Sequence, residues 1–377
     1  MGEAILHQRK ENALNLLRTL EMPSLKYGQG MFLNLDLDFY DFSTALQHDN
    51  PETITITADP SVKVTSLTEM DDHFVKTYAE KLVPAGEDKF TALHYASVQK
   101  THVIIIPKNT SVDKPIFIHS SLKAKAKAEN IIVVAEEGAA ATIIEIAASS
   151  LENTYKSQIV QVYAKQNAHL TYSTLHNLTE HSYSFITKRG EANQDASITW
   201  IDFLLGGKFT RLQLRTNLVS PGAATKKWTV FYGSQEQLFD IKTETFHRAP
   251  HTEGIMKAKG ILNNQAKTIY RGTINIDKHS TNSIGHQRAD TILLGEEAKC
   301  DAVPVLEVEN DDVTCSHGVA IGQFNEEQLF YLLSRGLDED NAQKMIIQGF
   351  FDPIIGQVPD EETQNVIKDV LSQKVCQ

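Results

Sequence analysis

Two residues that could bind a metal or act in catalysis stand close together near the end of the chain. Cys315 and His317 lie two residues apart in the stretch DDVTCSHGVAIG, between acidic residues and a glycine. In a β-strand, both side chains would project from the same face, with their Cα atoms roughly 6.6 Å apart. Thiolate and imidazole both bind iron and zinc, and a cysteine beside a histidine can form a nucleophile–base pair. A buried thiol beside a hydrogen-bonded histidine fits the spacing equally well.

Motifs for nucleotide binding and hydrolysis are missing from the sequence. The segment LLGGKFTRL contains glycines and a lysine, but not the GxxxxGK[ST] spacing whose backbone N–H groups surround phosphates. Neither GxSxG nor a GxGxxG following a strand occurs. The sequence therefore predicts no P-loop nucleotide hydrolysis and disfavours the common hydrolase and dinucleotide-binding classes.

Composition and charge narrow the class of protein further. The chain has 377 residues, of which 41% are hydrophobic, and a net charge of −12. Without a basic stripe, this charge disfavours nucleic acid as a partner. No apolar run approaches the roughly 20 residues of a membrane span, and the N-terminus lacks a signal-peptide pattern. The three cysteines, Cys300, Cys315 and Cys376, are too few for a disulfide framework. We therefore predict a cytoplasmic protein without a membrane partner.

Short runs rich in Val, Ile, Thr and Tyr, such as HVIII, NIIVVAEE and SITWIDFLL, predict β-strands between about residues 100 and 320. A weak repeat joins them, in which a turn-like pair precedes an alanine. A repeat that recurs at regular intervals along the sequence is typical of stacked coils, which bury their apolar faces against one another. We predict a mainly β fold with a right-handed parallel β-helix, or β-solenoid, as its core. A β-sandwich is the alternative, disfavoured because Asn-Gly and Asp-Gly hairpin turns are absent. The repeated alanines are Ala139, Ala168, Ala196, Ala223, Ala266 and Ala298.

Helical patterns flank the predicted solenoid and divide the chain into three parts. We predict an N-terminal helical or mixed domain over residues 1–95, the β-helix over 96–322 and a C-terminal helical domain over 323–377. An apolar stripe over residues 5–20 predicts an amphipathic helix. The alternating stretch MFLNLDLDFYDF, residues 31–42, instead predicts a strand with one solvated face.

The C-terminal domain carries recognisable helix boundaries. Asn325 is a predicted N-cap, followed by two glutamates in the first turn, and Gly336 is a predicted stop. A second helix is predicted to end at Gly349, and a last helix to begin after Pro359. Helices at the ends of a solenoid can cover strand edges that would otherwise be exposed.

The most specific pattern is PVLEVENDDVTCSHGVAIGQFNEEQLFYLLSRGLDEDNAQKMIIQGFFDPII, Pro304 to Ile355. It resembles the C-terminal signature of the SufB/SufD family of iron–sulfur cluster assembly proteins. YRGTINID and QRADTILLG resemble the preceding coils of that family, and RKENALNLLRTLEMP resembles its opening helix. The Cys-Ser-His stretch is most like SufD, and Ala289 stands where SufB carries its cluster-assembly cysteine. The segment SLKYGQGMF departs from the family, which has a tryptophan-containing segment there.

The resemblance implies a non-catalytic scaffold subunit of an ATPase-driven assembly complex. A SufD-like chain pairs with a SufB-like paralogue, and both dock a SufC-like ATPase through C-terminal helices. His317 and Cys315 would then be ligands of a transient iron–sulfur cluster at the subunit interface, and the partner would supply a further thiolate. Two alternatives are a homodimeric β-solenoid binding module without a metal role and a β-helix carbohydrate-active enzyme.

Two surfaces are predicted to bind partners. A terminal coil with nothing stacked on it must pair with another chain, so we expect its edge to bind SufB or a second copy of this chain. Cys300, one coil earlier, is a core residue or an extra ligand, depending on where its side chain points. The predicted edge residues are Val305, Val308 and Val313. The predicted SufC contact is formed by Phe350, Phe351, Ile354 and Ile355, which could instead anchor the helices to the core.

Overall fold

The computed structural model describes residues 2–23, 39–48 and 54–375. The strands within these ranges form two nine-stranded sheets. Their bounds are β1 (Ile54–Thr57), β2 (Lys63–Ser66), β3 (Thr101–Ile106), β4 (Ile116–Leu122), β5 (Ala126–Ala135), β6 (Ala140–Ser149), β7 (Tyr155–Ala164), β8 (His169–Asn177), β9 (Tyr183–Ala192), β10 (Ser197–Leu204), β11 (Phe209–Leu218), β12 (Ala224–Gly233), β13 (Leu238–His247), β14 (Glu253–Leu262), β15 (Lys267–Ile276), β16 (Ser283–Leu293), β17 (Lys299–Val308) and β18 (Val313–Gln323).

The strands wind as a β-solenoid, as the repeat predicts. The first sheet has the order β1-β4-β6-β8-β10-β12-β14-β16-β18, and the second has the order β17-β15-β13-β11-β9-β7-β5-β3-β2. From β3 onward, successive strands alternate between the sheets and each pairs in parallel with the strand two places along. Among the described strands, β1 pairs antiparallel with β4 and β2 pairs antiparallel with β3, whereas all other pairs are parallel. Short reversed strands therefore form the N-terminal end of each sheet.

The turn motif explains the period of the repeat. At one corner, Gly138, Asn167, Asp195 and Gly222 all have positive φ values, between 53° and 74°. This left-handed conformation suits glycine, asparagine and aspartate. Corners of successive coils are hydrogen-bonded, since Gly138 N–H donates to the Gln166 carbonyl at 2.9 Å. The alanine after each of these turns is fully buried and immediately precedes the next strand of the first sheet.

The last two repeated alanines belong to the other corner of the solenoid. Ala266 precedes β15 and Ala298 precedes β17, both in the second sheet. At the first corner, Thr252 and Ser283 occupy the places that alanine holds in earlier coils. The wider spacing between Ala223 and Ala266 than between the earlier alanines therefore reflects a change of corner.

Helices at the N-terminal end cover the outer face of the second sheet. Phe42, Phe90 and Phe185 pack together there, with the Phe90 and Phe185 rings stacked at 4.3 Å. The predicted strand at residues 31–42 is wrong for its last four residues, which begin a helix, and its remainder lies outside the described residues. The helices are α1 (Gly2–Thr19), α2 (Phe39–His48), a 3-10 turn (Leu67–Glu69), α3 (Asp72–Tyr78) and α4 (Lys89–Ser97).

Three helices follow the solenoid: α5 (Glu326–Ser334), α6 (Glu339–Ile355) and α7 (Glu361–Val375). The predicted N-cap is confirmed, because the Asn325 side chain accepts from Gln328 N–H at 3.0 Å. The predicted end at Gly349 is wrong, since α6 continues through Gly349 and contains Pro353. Burial of the residues beyond Gly349 offsets the cost of glycine within a helix, about 1 kcal/mol. Among the described residues, no helix is long and apolar enough to cross a membrane.

Candidate metal centre at the open end of the solenoid

β17 and β18 are the last strands of the two sheets, and no described strand pairs with their outer edges. Lys299 and Glu309 donate their N–H groups to β15. Because N–H groups alternate in direction along a strand, the even-numbered residues of β17 direct theirs outward. Pro304, which has no N–H, occupies one of these outward positions, where an edge strand tolerates it. In β18, Phe324 donates to β16, so the odd-numbered residues direct their N–H groups outward.

Cys315 and His317 share one face of β18. Register places Cys315 opposite Gly285 and His317 opposite Gln287, whose side chain is buried inside the solenoid. Both predicted ligands therefore lie on the interior-facing side of the last strand. Cys315 is half-buried and His317 is exposed, because no described coil stacks on them. Cys315 packs against a cluster made by Met256, Ile274 and Ile276.

The local chemistry disfavours an activated nucleophile at Cys315. Burial raises the pKa of the Cys315 thiol, and the Ser316 backbone N–H opposes this effect only in part. The thiol is therefore protonated near neutral pH, whereas the thiolate is the nucleophile. In the described chain, no hydrogen bond joins Cys315 to His317, so the imidazole is not placed as its base. A bound metal would displace the thiol proton itself.

The described chain supplies only part of a coordination sphere. Throughout residues 2–23, 39–48 and 54–375, no group of three or more His, Cys, Asp or Glu side chains could hold a metal ion. Iron–sulfur clusters are usually bound by four protein ligands. A complete cluster site at Cys315 and His317 would thus need ligands beyond those that the described residues bring together.

Cys300 points into the solenoid core. It lies opposite Thr268, whose side chain is fully buried. Its Sγ donates to Thr291 Oγ1 at 3.5 Å, and its side chain packs against the main apolar cluster. Burial raises the pKa of the thiol to about 11. These contacts favour the core interpretation over an extra ligand. Cys376 lies outside the described residues.

The open end exposes more apolar surface than sequence analysis indicated. Val303, Val308, Val319 and Ile321 are each 40–43% exposed on the last two strands. Ala289, one coil earlier, is buried opposite Val319. The alternation of residues in β18 predicts from sequence which side chains share a face. Only the structure shows that no described coil covers them.

The three predicted edge valines occupy different environments. Val308 and Val313 direct their N–H groups outward by the alternation described above, and Val313 also packs beside Cys315. Val305 has its N–H on the β15 side and its side chain on the outer face of the second sheet. Val308 and Val313 are therefore placed for backbone pairing, and Val305 for side-chain contact.

The predicted SufC-contact residues lie mostly inside the protein. Phe351, Ile354 and Ile355 are at most 2% exposed and pack on the outer face of the first sheet. The Phe350 carbonyl accepts from Lys259 Nζ at 2.7 Å. Their position matches the anchoring alternative and leaves them little surface for a partner. The exposed apolar residues of α5 and α6 are Phe330, Tyr331, Leu333 and Met345.

Sequence reasoning also missed an ionic cluster within the solenoid. Lys156 lies 3.1 Å from Glu129 and 3.5 Å from Glu145, and Lys188 lies 2.6 Å from Asp202; all five are at most 1% exposed. Burial opposes ionisation of Glu145, but the two ammonium groups hold its pKa below the usual value. The signal was a single charge inside an apolar run, as in IIEIAA. Paired in this way, these charges specify interior packing.

Comparison with known proteins places the chain in a family. Residues 117–350 match the model described as the SUF system FeS cluster assembly SufBD core domain. Similar relatives are iron–sulfur cluster assembly SufBD family proteins of Staphylococcus epidermidis, Staphylococcus haemolyticus and Staphylococcus aureus. Each is 30% identical over 295 residues, which cover 77% of this chain and 63% of the relative. The chain thus spans less than two thirds of the length of these relatives. It belongs to the SufBD family of iron–sulfur cluster assembly proteins.

Proposed function

We propose that this chain is a SufD-like scaffold that pairs with a SufB-like paralogue and a SufC-like ATPase in the cytoplasm to assemble nascent iron–sulfur clusters. It carries no catalytic turnover of its own. The observation that supports this proposal is the position of Cys315 and His317 on the last strand of a solenoid whose edge is unpaired. The ligand set is incomplete, and the edge of the strand is unpaired. Each of these two features calls for a second chain.

The cluster is cargo held at the interface. Imidazole and thiolate both bind iron. His317 is exposed at the open end of the solenoid, where a coil of a partner chain would stack. Cys315, half-buried with a raised thiol pKa, is the less accessible of the two. His317 is therefore the principal ligand from this chain and Cys315 its companion. The partner supplies the other ligands, in keeping with alanine at position 289.

Pairing of strand edges supplies the contact with the paralogue. The outward N–H groups of β17 and β18 can donate to a strand of another chain, and backbone hydrogen bonds of this kind give affinity. Val303, Val308, Val319 and Ile321 would then lose their exposed apolar surface.

The C-terminal helices dock the ATPase. Since Phe351, Ile354 and Ile355 anchor α6 to the solenoid, the contact surface is formed by the exposed side of α5 and α6. Tyr331 and Met345 line a shallow groove there, and Phe330 beside it is 72% exposed. Aromatic and methionine side chains on such a surface are typical of binding hot spots.

The two alternative functions make different demands on the structure. A homodimer would use the same open edges, so a second copy of this chain is the competing partner. A carbohydrate-active enzyme would need a pair of accessible carboxylates; Glu129 and Glu145 are instead buried and bound to Lys156. The homodimer is therefore the second candidate.

Purification of the chain alone and together with SufB-like and SufC-like proteins tests this function. We expect iron and acid-labile sulfide only in the co-expressed complex, because the ligand set is completed by the partner. Iron and sulfide bound stoichiometrically by the chain alone would contradict the shared site. A stable homodimer that neither binds SufB nor carries iron would support the binding-module alternative.

A further inference from the structure

A cavity of about 470 Å³ lies between α1, the 3-10 turn, the end of α4 and strands β3 and β5. In the second sheet these strands lie at the opposite end from β17. The cavity is therefore separate from the Cys315–His317 site. Its volume is within the range of small-molecule sites in proteins.

Asn130, which lines the cavity, carries a buried acceptor without a partner. Asn130 is 3% exposed and donates its Nδ2 to Thr101 Oγ1 at 3.0 Å. Its Oδ1 is buried and has no hydrogen-bond partner in the described structure. An unsatisfied buried acceptor costs free energy that a ligand N–H or O–H would recover.

Basic residues dominate the part of the lining contributed by α1. Arg9 donates Nη1 to the Ala79 carbonyl at 2.8 Å, and its Nε lies 4.0 Å from Glu80. Lys10 lines the cavity beside it, so two permanent cations face one carboxylate. Burial raises the pKa of Glu80, and Arg9 opposes this effect. In a chain with net charge −12, this local excess of positive charge favours a small anion.

Much of the remaining lining is apolar. Leu6, Leu67 and Val98 present aliphatic surface, and the Tyr95 hydroxyl already donates to the Val83 carbonyl at 2.9 Å. Glu80 also has a φ of 58°, a conformation that costs a non-glycine residue energy and is found more often at functional sites. The cavity thus joins cationic, apolar and acceptor regions.

We propose that this cavity binds a small organic carboxylate that also carries an N–H or O–H donor, as amino acids and hydroxy acids do. The carboxylate contacts Arg9 and Lys10, the carbon skeleton packs on Leu6 and Leu67, and the donor bonds to Asn130 Oδ1. Binding at this site does not require the cluster function proposed above.

Thermal unfolding of the full chain, measured separately with each proteinogenic L-amino acid, lactate and malate, tests the proposal. Because a ligand that binds only the folded state stabilises it, at least one probe should raise Tm by a few degrees at about 100 times its Kd. Propionate, which has the carboxylate but no second donor, should bind at least tenfold more weakly than that probe.

Three variants separate specific binding from general effects. Arg9→Met and Asn130→Leu should each weaken binding of the probe at least tenfold. Lys81→Met removes a cation outside the cavity, where Lys81 pairs with Glu191, and should leave binding unchanged. Absence of any Tm shift, or full binding by the Arg9→Met and Asn130→Leu variants, would overturn the proposal.

Discussion

The outermost parallel coils at the two ends of the solenoid are covered to different extents. At the N-terminal end, the antiparallel strands β1 and β2 terminate the sheets and α3 packs Phe74 and Val75 against β3 and β5. At the C-terminal end, β17 and β18 expose Val319 and Ile321 and leave outward N–H groups. Edges of this kind favour pairing with another chain. β1 and β2 are themselves edge strands, but they and α3 cover the parallel coils at the N-terminal, closed end, whereas no described strand pairs with β17 and β18 at the C-terminal, open end.

Proline at the open edge should have the largest effect on assembly. Val308→Pro combined with Val313→Pro removes two outward N–H donors without touching the bonds to β15 and β16. We expect loss of the complex with the SufB-like partner in size-exclusion chromatography, while the chain itself remains folded.

The matched control for the edge is Val308→Thr with Val313→Thr, which preserves side-chain shape and both N–H groups. This variant should still form the complex. An intact complex in the double-proline variant would show that β17 and β18 are not the pairing edges.

A pair of valine-to-alanine changes compares the two ends directly. Val75 is fully buried at the closed end, whereas Val319 is 40% exposed at the open end. Val75→Ala should lower the free energy of unfolding by about 2 kcal/mol, through lost burial and a residual cavity. Val319→Ala should change it by less than about 0.5 kcal/mol and weaken binding of the SufB-like partner.

Urea unfolding of the isolated chain and titration with the partner measure these two quantities. Equal destabilisation by both changes would mean that the open end is already covered in the isolated chain, for instance in a homodimer. A concentration-dependent unfolding midpoint would identify that case.

The closed end also contains a histidine that makes stability depend on pH. Burial lowers the pKa of His94 to about 3, although a hydrogen bond with the Ser157 backbone opposes this effect. The unfolded chain has a histidine pKa of roughly 6.5 and so binds the proton more readily. His94 therefore contributes stability above pH 6.5 that is lost as pH falls toward 3, about 2 kcal/mol of it by pH 5.

Unfolding midpoints at pH 7 and pH 5 for the natural chain and for His94→Gln measure this contribution. The difference between the two pH values should be smaller in the variant. An unchanged difference would mean that His94 is not held neutral in the folded chain. His247, whose pKa burial also lowers to about 3, contributes to the remaining difference.

The elements that could be predicted from sequence are those fixed by local patterns. Repeated turns followed by buried alanines predicted the solenoid, because a left-handed turn residue and a small side chain are needed wherever a coil bends. Asn325 predicted a helix start for a similarly local reason. Alternation in β18 placed Cys315 and His317 on one face.

What could not be predicted depends on contacts between distant segments. Gly349 is a plausible helix end until Phe351 is known to be buried against the first sheet. The same burial leaves Phe351 little surface for a partner. Phe330, which was not among the predicted contact residues, is exposed instead. The direction of Cys300 followed from its pairing with Thr268, and a slip of one residue in that register would have turned it outward.

The most direct test of the shared metal site is the iron and sulfide content of the co-expressed complex carrying His317→Ala. His286→Ala is its control, because His286 lies on the adjacent strand but on the outer face, with Nδ1 at 2.7 Å from Ser316 Oγ. We predict that both variants assemble with the SufB-like and SufC-like proteins, and that only His317→Ala loses most of its iron and sulfide. Full iron and sulfide in the His317→Ala complex would contradict the role of this histidine as a cluster ligand.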